Sequence, residues 1–148
     1  MAEGTGFKLV IADPYFANAS ESARAAVKRH LLCSGKVYYD VVDAIEKAGL
    51  RDVVAVTRVE QIAPFPYHEV RDADKNFPNA EVAWVQEEHM NMGPWTYVQP
   101  RIETAVKGHR GDIRVRYFGR GPSAVAATGS HKISHDELHA FLHACTTL

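Results

Sequence analysis

Residues 82–85 read Val82-Ala83-Trp84-Val85, a short apolar run that leads straight into Gln86-Glu87-Glu88. A strand with one wet face alternates apolar and polar residues, whereas a continuous apolar run belongs to a strand covered on both faces. Arg29 to Cys33 reads as a second strand. Val53 to Val59 is a third, β-branched at most positions, and Ile113 to Phe118 a fourth. The intervening stretches have helical rather than strand period. In Lys36 to Ala48, the residues Val37, Val41, Ala44, Ile45 and Ala48 share one face, while Asp40, Asp43, Glu46 and Lys47 do not. Strands separated by helices of about 10–15 residues predict a mostly parallel sheet covered on both sides.

Local signals set the expected boundaries. Gly49 stops the first long helix. Pro64 and Pro66 break the chain after the Val53–Val59 strand, and a helix over Tyr67 to Asn76 ends before Pro78. The third strand in chain order spans Glu81 to Gln86. A helix over Trp95 to Lys107 contains Pro100, which demands a kink or a boundary. Gly119 to Gly129 reads as loop. Ser134 is expected to cap a last helix, with Glu137 three residues on completing a capping box. Residues 1–27 read as a polar lead-in whose apolar content is the run Leu9-Val10-Ile11, and Ala17 to Arg24 as a surface excursion or short helix. Residues 28–148 carry the regular alternation, and the whole reads as one α/β domain.

Bulk properties narrow the function. The 148 residues suit one domain with a real core. A net charge of −1 gives no footprint for nucleic acid or an anionic membrane. No apolar run approaches the ~20 residues of a membrane span. The start, Met1 to Gly6, resembles neither a signal peptide nor an Arg-rich transit peptide. Two cysteines cannot make a disulfide framework, so Cys33 and Cys145 are expected to be reduced and buried.

Three groupings invite chemistry. Ser34-Gly35-Lys36 lies at a strand-to-helix turn, where free amides and a lysine make an anion site; the plainer reading is a tight turn with a solvated lysine. It lacks the spacing of a P-loop, and no G-x-G-x-x-G occurs. Glu87 and Glu88 are adjacent carboxylates, but neighbours on an extended chain point to opposite sides and cannot share one substrate. His131, His135, His139 and His143 are spaced by four, as a helical chelate would be. His131 is expected to precede the helix, no further ligand is spaced to complete a site, and a solvated face without metal is the expectation. No G-x-S-x-G nucleophile motif is present, and the sequence offers no catalytic set of its own.

Several ungapped segments carry a resemblance. Cys33-Ser34-Gly35-Lys36-Val37-Tyr38-Tyr39-Asp40, Arg58-Val59-Glu60-Gln61-Ile62-Ala63-Pro64-Phe65-Pro66, Trp84 through Gly93, Tyr117-Phe118-Gly119-Arg120-Gly121-Pro122-Ser123-Ala124 and Ala127-Thr128-Gly129 occur in the order of a known family. They resemble the C-terminal domain of the thiamin-diphosphate-dependent first component of the 2-oxoglutarate dehydrogenase complex; Phe7 to Asp13 matches more loosely. The resemblance implies a Rossmann-like three-layer α/β domain like the transketolase C-terminal domain, here as the tail of a longer chain. The implied parent is an oxidoreductase of the tricarboxylic acid cycle. It uses thiamin diphosphate and magnesium to decarboxylate 2-oxoglutarate, and passes the succinyl group to a lipoyl carrier on the succinyltransferase core. The cofactor-binding domains of that family lie upstream, so this segment is expected to be non-catalytic and to hold no cofactor.

Its implied partners are the other domains of the parent chain, a homodimer partner and a regulatory nucleotide, AMP or acetyl-CoA. For the effector the resemblance and the strand-end crevice point to Ser34, Lys36, Arg58 and Gln86, although Arg58 could instead pair with Glu60 or Asp40. For the interface they point to Glu87, Glu88, Met92 and Trp95, with Met90 beside them. The implied location is the mitochondrial matrix in a eukaryote and the cytoplasm in a bacterium. The rival readings are the 2-oxoadipate enzyme of the same superfamily and a stand-alone, non-catalytic nucleotide-binding or scaffold module.

Overall fold

In the computed structural model, which describes residues 6–148, strands β1 (Val10–Ile11), β2 (Arg29–Cys33), β3 (Val54–Val59), β4 (Glu81–His89) and β5 (Arg116–Arg120) form one sheet. Met1 to Thr5, part of the start read above as neither signal nor transit peptide, lie outside the described residues. The strand order is β1-β3-β2-β4-β5. β2 runs parallel to both β3 and β4, and β4 parallel to β5, while β1 pairs antiparallel with β3 at the edge. The helices are α1 (Glu21–Ala25), α2 (Val37–Lys47), α3 (Tyr67–Asp74), α4 (Trp95–Arg110) and α5 (His131–Thr146).

The two-residue period of the strands sorts the core into two layers. Leu31 and Cys33 of β2, Val54 and Val56 of β3, and Ala83 and Val85 of β4 face α2 and α5. There they meet Val37, Val41, Ile45, Phe141, Leu142 and Cys145. On the opposite face Leu32, Val59, Val82 and Trp84 meet Val70 of α3 and Val98, Ile102 and Val106 of α4. Each fully buried aliphatic side chain stabilises the fold by about 1.5–3 kcal/mol. Continuous apolar runs on β2, β3 and β4 thus build a three-layer sandwich.

The lead-in contributes more than polar surface. Its Phe16 and Val27 are buried with Ala55, Phe77 and Ala80. Its Asp13 is buried and accepts bonds from the Val56 amide at 2.8 Å and from both terminal nitrogens of Arg51.

Several boundaries differ from the sequence expectation. Gly49 adopts φ +68° just past α2, the left-handed conformation its stop role requires. β4 runs past Gln86 to His89, because His89 still pairs with Arg120 across an irregular register. β5 starts at Arg116 rather than Ile113 and reaches Arg120, inside the segment read as loop. α4 passes through Pro100 to Arg110. The buried residues Val98, Ile102, Ala105 and Val106 bracket the proline and hold the helix against its ~3 kcal/mol penalty.

α5 begins at His131, with Ser130 as its N-cap, so Ser134 caps nothing and Glu137 completes no capping box. Both are drawn to Arg120 instead. Its guanidinium donates to the Ser134 carbonyl and hydroxyl and to Glu137. At the other end of α5, the buried Arg29 donates to the carbonyls of Ala144, Cys145 and Thr147. A cation there also complements the negative end of the helix dipole.

Candidate functional site

The sheet changes direction of growth between β2 and β4, and crevices form at the carboxyl ends of strands on either side of such a switch. β2 leaves the sheet through Ser34 and Gly35, where Gly35 takes φ +73° and turns the chain into α2. Lys36 occupies the N-cap position of α2 and is exposed. Its ammonium already has anionic partners. Glu87 Oε2 lies 3.2 Å away and Asp40 Oδ2 3.7 Å away, and the hydrogen bond and charge of Glu87 push the lysine pKa up. A pair this exposed contributes at most about 1 kcal/mol, so another anion can displace it at little cost.

Arg58 ends beside this turn. β3 places it opposite Cys33, its guanidinium lies 4.7 Å above the Tyr38 ring, and its Nε is 3.8 Å from Glu60. Of the two carboxylates weighed as its partner, the nearby one is Glu60. Ser34, Lys36 and Arg58 therefore share one end of the sheet.

Gln86 does not open into that crevice, which corrects the sequence reading. It is buried, its Oε1 accepts from the Trp84 indole and from the Trp95 amide, both at 3.0 Å, and its Nε2 donates to the carbonyls of Glu88 and His89. These bonds exhaust the amide's useful capacity. Gln86 shapes the turn that carries the acidic pair; it is not available to a ligand.

The two carboxylates differ in their contacts, although both residues line the same cavity at the strand ends. Glu87 reaches Lys36, while Glu88 is exposed. Met92 is exposed at 44% and Met90 is half-buried. Trp95, read from sequence as interface, is half-buried and packs inward on the second core layer. Its ring lies 5.1 Å from that of Tyr117.

Beyond Glu87 the strand ends enclose a cavity of about 240 Å³ lined by Glu87, Glu88, His89, Arg120, Thr128 and Ser134. His89 is buried; its Nδ1 donates to the Gly121 carbonyl at 3.0 Å, and its Nε2 has no hydrogen-bond partner among the described residues. Arg120 donates Nε to the Glu87 carbonyl at 2.9 Å, so one guanidinium joins β4 to α5. Its hydrogen bond to Glu137, with a second from Thr128, holds the Glu137 carboxyl below the usual range. Asn91 fastens the two strand-end loops together, bonding the Ser123 carbonyl at 2.8 Å and amide at 2.9 Å. Sequence reasoning assigned no role to His89, Asn91 or Arg120. The Gly119-Arg120-Gly121 run was the available signal, since an arginine inside an otherwise buried strand end must find acceptors.

Cys33 and Cys145 are both free and buried, and burial pushes each thiol up to about 12. Among the described residues, no group of three or more His, Cys, Asp or Glu side chains is placed to hold a metal ion. All four spaced histidines lie on α5, His131 included, which corrects its placement outside the helix.

Fold and site together define a Rossmann-like three-layer α/β domain with a polar crevice and an acidic turn at its sheet switch point. The sequence matches, over residues 1–146, the family described as 2-oxoglutarate dehydrogenase C-terminal. The chain belongs to that family. It is similar to a "2-oxoglutarate dehydrogenase-like, mitochondrial" protein of Pongo abelii, 41% identical over 142 residues, covering 96% of this chain and 14% of that protein. It is 42% identical over 134 residues to a "2-oxoglutarate dehydrogenase, mitochondrial" of Caenorhabditis elegans, covering 89% of this chain and 12% of that protein. A "Probable 2-oxoadipate dehydrogenase complex component E1 homolog" of Dictyostelium discoideum is 38% identical over 143 residues, covering 96% of this chain and 15% of that protein. The chain thus spans about a seventh of the length of these relatives.

Proposed function

We propose that this chain is the C-terminal segment of the decarboxylating first component of a 2-oxoglutarate dehydrogenase complex. Within that enzyme it supports dimerisation and binds a nucleotide effector, and it performs no chemistry itself. The observation that carries the reading is the end-to-end family match, made with a small fraction of each relative's length. The parent enzyme decarboxylates 2-oxoglutarate and transfers the succinyl group to a lipoyl carrier of the succinyltransferase core. In a eukaryote it works in the mitochondrial matrix, in keeping with the names of the relatives. Thiamin diphosphate, held with magnesium, supplies the electron sink for the carbanion formed on decarboxylation. The described residues do not fit that pair: Glu87, Asp74 and Glu137 are engaged by Lys36, Arg110 and Arg120, and among the described residues no three carboxylate, histidine or cysteine side chains gather on one point. No step is assigned to these residues.

The effector reading rests on Ser34, Lys36 and Arg58, without Gln86. The phosphate of AMP or acetyl-CoA competes with Glu87 for Lys36 at the start of α2, where free amides and the helix dipole favour an anion. The interface reading rests on Glu87, Glu88 and Met92, the exposed part of the acidic turn. The 38% identity to a 2-oxoadipate component keeps that substrate as the second reading.

One experiment addresses both levels. The full-length protein carrying this segment is assayed with 2-oxoglutarate and 2-oxoadipate, and titrated with AMP and acetyl-CoA, as wild type and as Lys36→Ala. Expected are preferential turnover of 2-oxoglutarate and an effector affinity lowered about tenfold or more in the variant, the scale of a lost charge-assisted bond. Preference for 2-oxoadipate would overturn the substrate assignment. Effector affinity unchanged by Lys36→Ala would overturn the crevice.

A further inference from the structure

The histidines of α5 have no part in the function proposed above, and the geometry of two of them is specific. His135 and His139 lie one helical turn apart on the exposed face, with ring centroids 4.2 Å apart and planes inclined by 51°. Their Nε2 atoms stand 3.0 Å from each other. Zinc–imidazole bonds are about 2.0–2.1 Å long, and two such bonds to nitrogens 3.0 Å apart enclose an angle of about 94° at the metal. That angle falls between the octahedral right angle and the tetrahedral angle of about 109°. The two nitrogens are therefore already at chelate separation.

The surroundings favour ligation over a simple contact. Two imidazole nitrogens this close need a proton between them, as N–H···N, or a cation that both lone pairs can share. The Asp136 carboxylate lies 4.0 Å from His135 Nδ1. At that distance no hydrogen bond joins the two, and the carboxylate supplies a nearby negative charge for a bound cation. The backbone beneath is firm, because Phe141, Leu142 and Cys145 anchor the same helix in the core. Imidazole nitrogen selects zinc, nickel or copper over magnesium and calcium, which require oxygen ligands.

We propose that His135 and His139 form a two-point chelating site for a divalent transition-metal ion, of which zinc is the reference. Water fills the remaining coordination positions. Bridging successive turns, the ion clips the first half of α5 and raises the melting temperature with the logarithm of free metal once its concentration exceeds the dissociation constant.

The test is calorimetric titration of zinc chloride into the 148-residue chain, carrying no polyhistidine tag, in a non-chelating buffer. The result expected is one saturable site in the micromolar range. His135→Gln and His139→Gln should each weaken binding about tenfold or more. His68→Gln, which lies on α3, should leave the affinity within about twofold. Both chelate positions are exposed, and matching far-ultraviolet circular dichroism confirms that the variants fold. A long-range imidazole nitrogen spectrum gives a second readout, with zinc moving the Nε2 resonances of His135 and His139. Absence of saturable binding up to about 1 mM zinc would overturn the proposal. Undiminished binding in the His135→Gln, His139→Gln double variant would overturn it equally.

Discussion

Replacing Asp74 by Asn should lower stability by about 3 kcal/mol, because one carboxylate joins four elements of the fold. Asp74 closes α3 and is fully buried. Oδ1 accepts from His30 Nδ1 at 3.0 Å and Arg110 Nη2 at 2.9 Å; Oδ2 accepts from His109 Nε2 and Arg110 Nε, each at 2.8 Å. His30 continues to Thr57 Oγ1 at 2.9 Å, so β2, β3, α3 and α4 share one polar network. The amide of Asn faces donors with a donor, loses the bonds on that side and leaves Arg110 without its counter-charge. Removing one member of a buried ion pair costs about 3–5 kcal/mol. The lower end applies, because Arg110 keeps bonds to the carbonyls of Phe77, Pro78 and Ala80.

At an unfolding entropy of roughly 2.1 cal/mol/K per residue, that loss lowers the melting temperature by about 10 °C for 148 residues. Burial raises the Asp74 carboxyl pKa, but the bonds and charges of His30 and Arg110 outweigh it and hold the pKa well below the ordinary range. A depressed folded pKa contributes stability that is fully present above the unfolded value, near 4, and lost as pH falls below it. The gap between wild type and Asp74→Asn should therefore be widest at neutral pH and narrow below about pH 4. Urea unfolding followed by circular dichroism across that range measures it. A loss under about 1 kcal/mol at pH 7, or a gap independent of pH, would refute the reasoning.

Three further outcomes follow from single contacts. A Cβ on Gly93 would lie 2.5 Å from Gln86 Nε2 and 2.8 Å from its Cδ, and that amide is pinned by its bonds to Trp84, Trp95, Glu88 and His89. Gly93→Ala should thus cost about 1–3 kcal/mol of overpacking, read from the urea midpoint, and an unshifted midpoint would show that Gln86 moves freely. Cys33 and Cys145 should resist a thiol-specific disulfide reagent in the native chain and react in guanidinium, since burial disfavours both thiolates; rapid native labelling would contradict their placement. Met92→Asp in the full-length protein should weaken self-association in sedimentation at high dilution while changing the stability of this chain by under about 0.5 kcal/mol, and unchanged sedimentation would remove the acidic turn from the interface.

The strands and helices were legible because their evidence is local. Apolar runs marked β2, β3 and β4, and the spacing of Val37, Val41 and Ile45 marked α2. The misplaced strand and α5 boundaries have a different cause: they are decided by partners distant in sequence. Ser134 and Glu137 satisfy the local pattern of a capping box, worth about 1 kcal/mol. They lie instead against a guanidinium from β5, and a buried guanidinium left without acceptors would cost several kcal/mol. Satisfying the guanidinium outweighs the cap, and α5 starts at His131 instead. Among the site residues, Ser34-Gly35-Lys36 was legible as a turn into a helix, but Gln86 was misread. Its true partner was nonetheless within reach of sequence: a buried tryptophan needs an acceptor for its indole N–H, and residues two apart on a strand lie on the same face. Trp84 and Gln86 stand in that relation and bond at 3.0 Å. No comparable rule reaches the Asp74 network, in which the direct partners of Asp74 lie 35 to 44 residues away from it in sequence. Only the packed sheet and helices bring them together, which is why its removal is the sharper test of the fold.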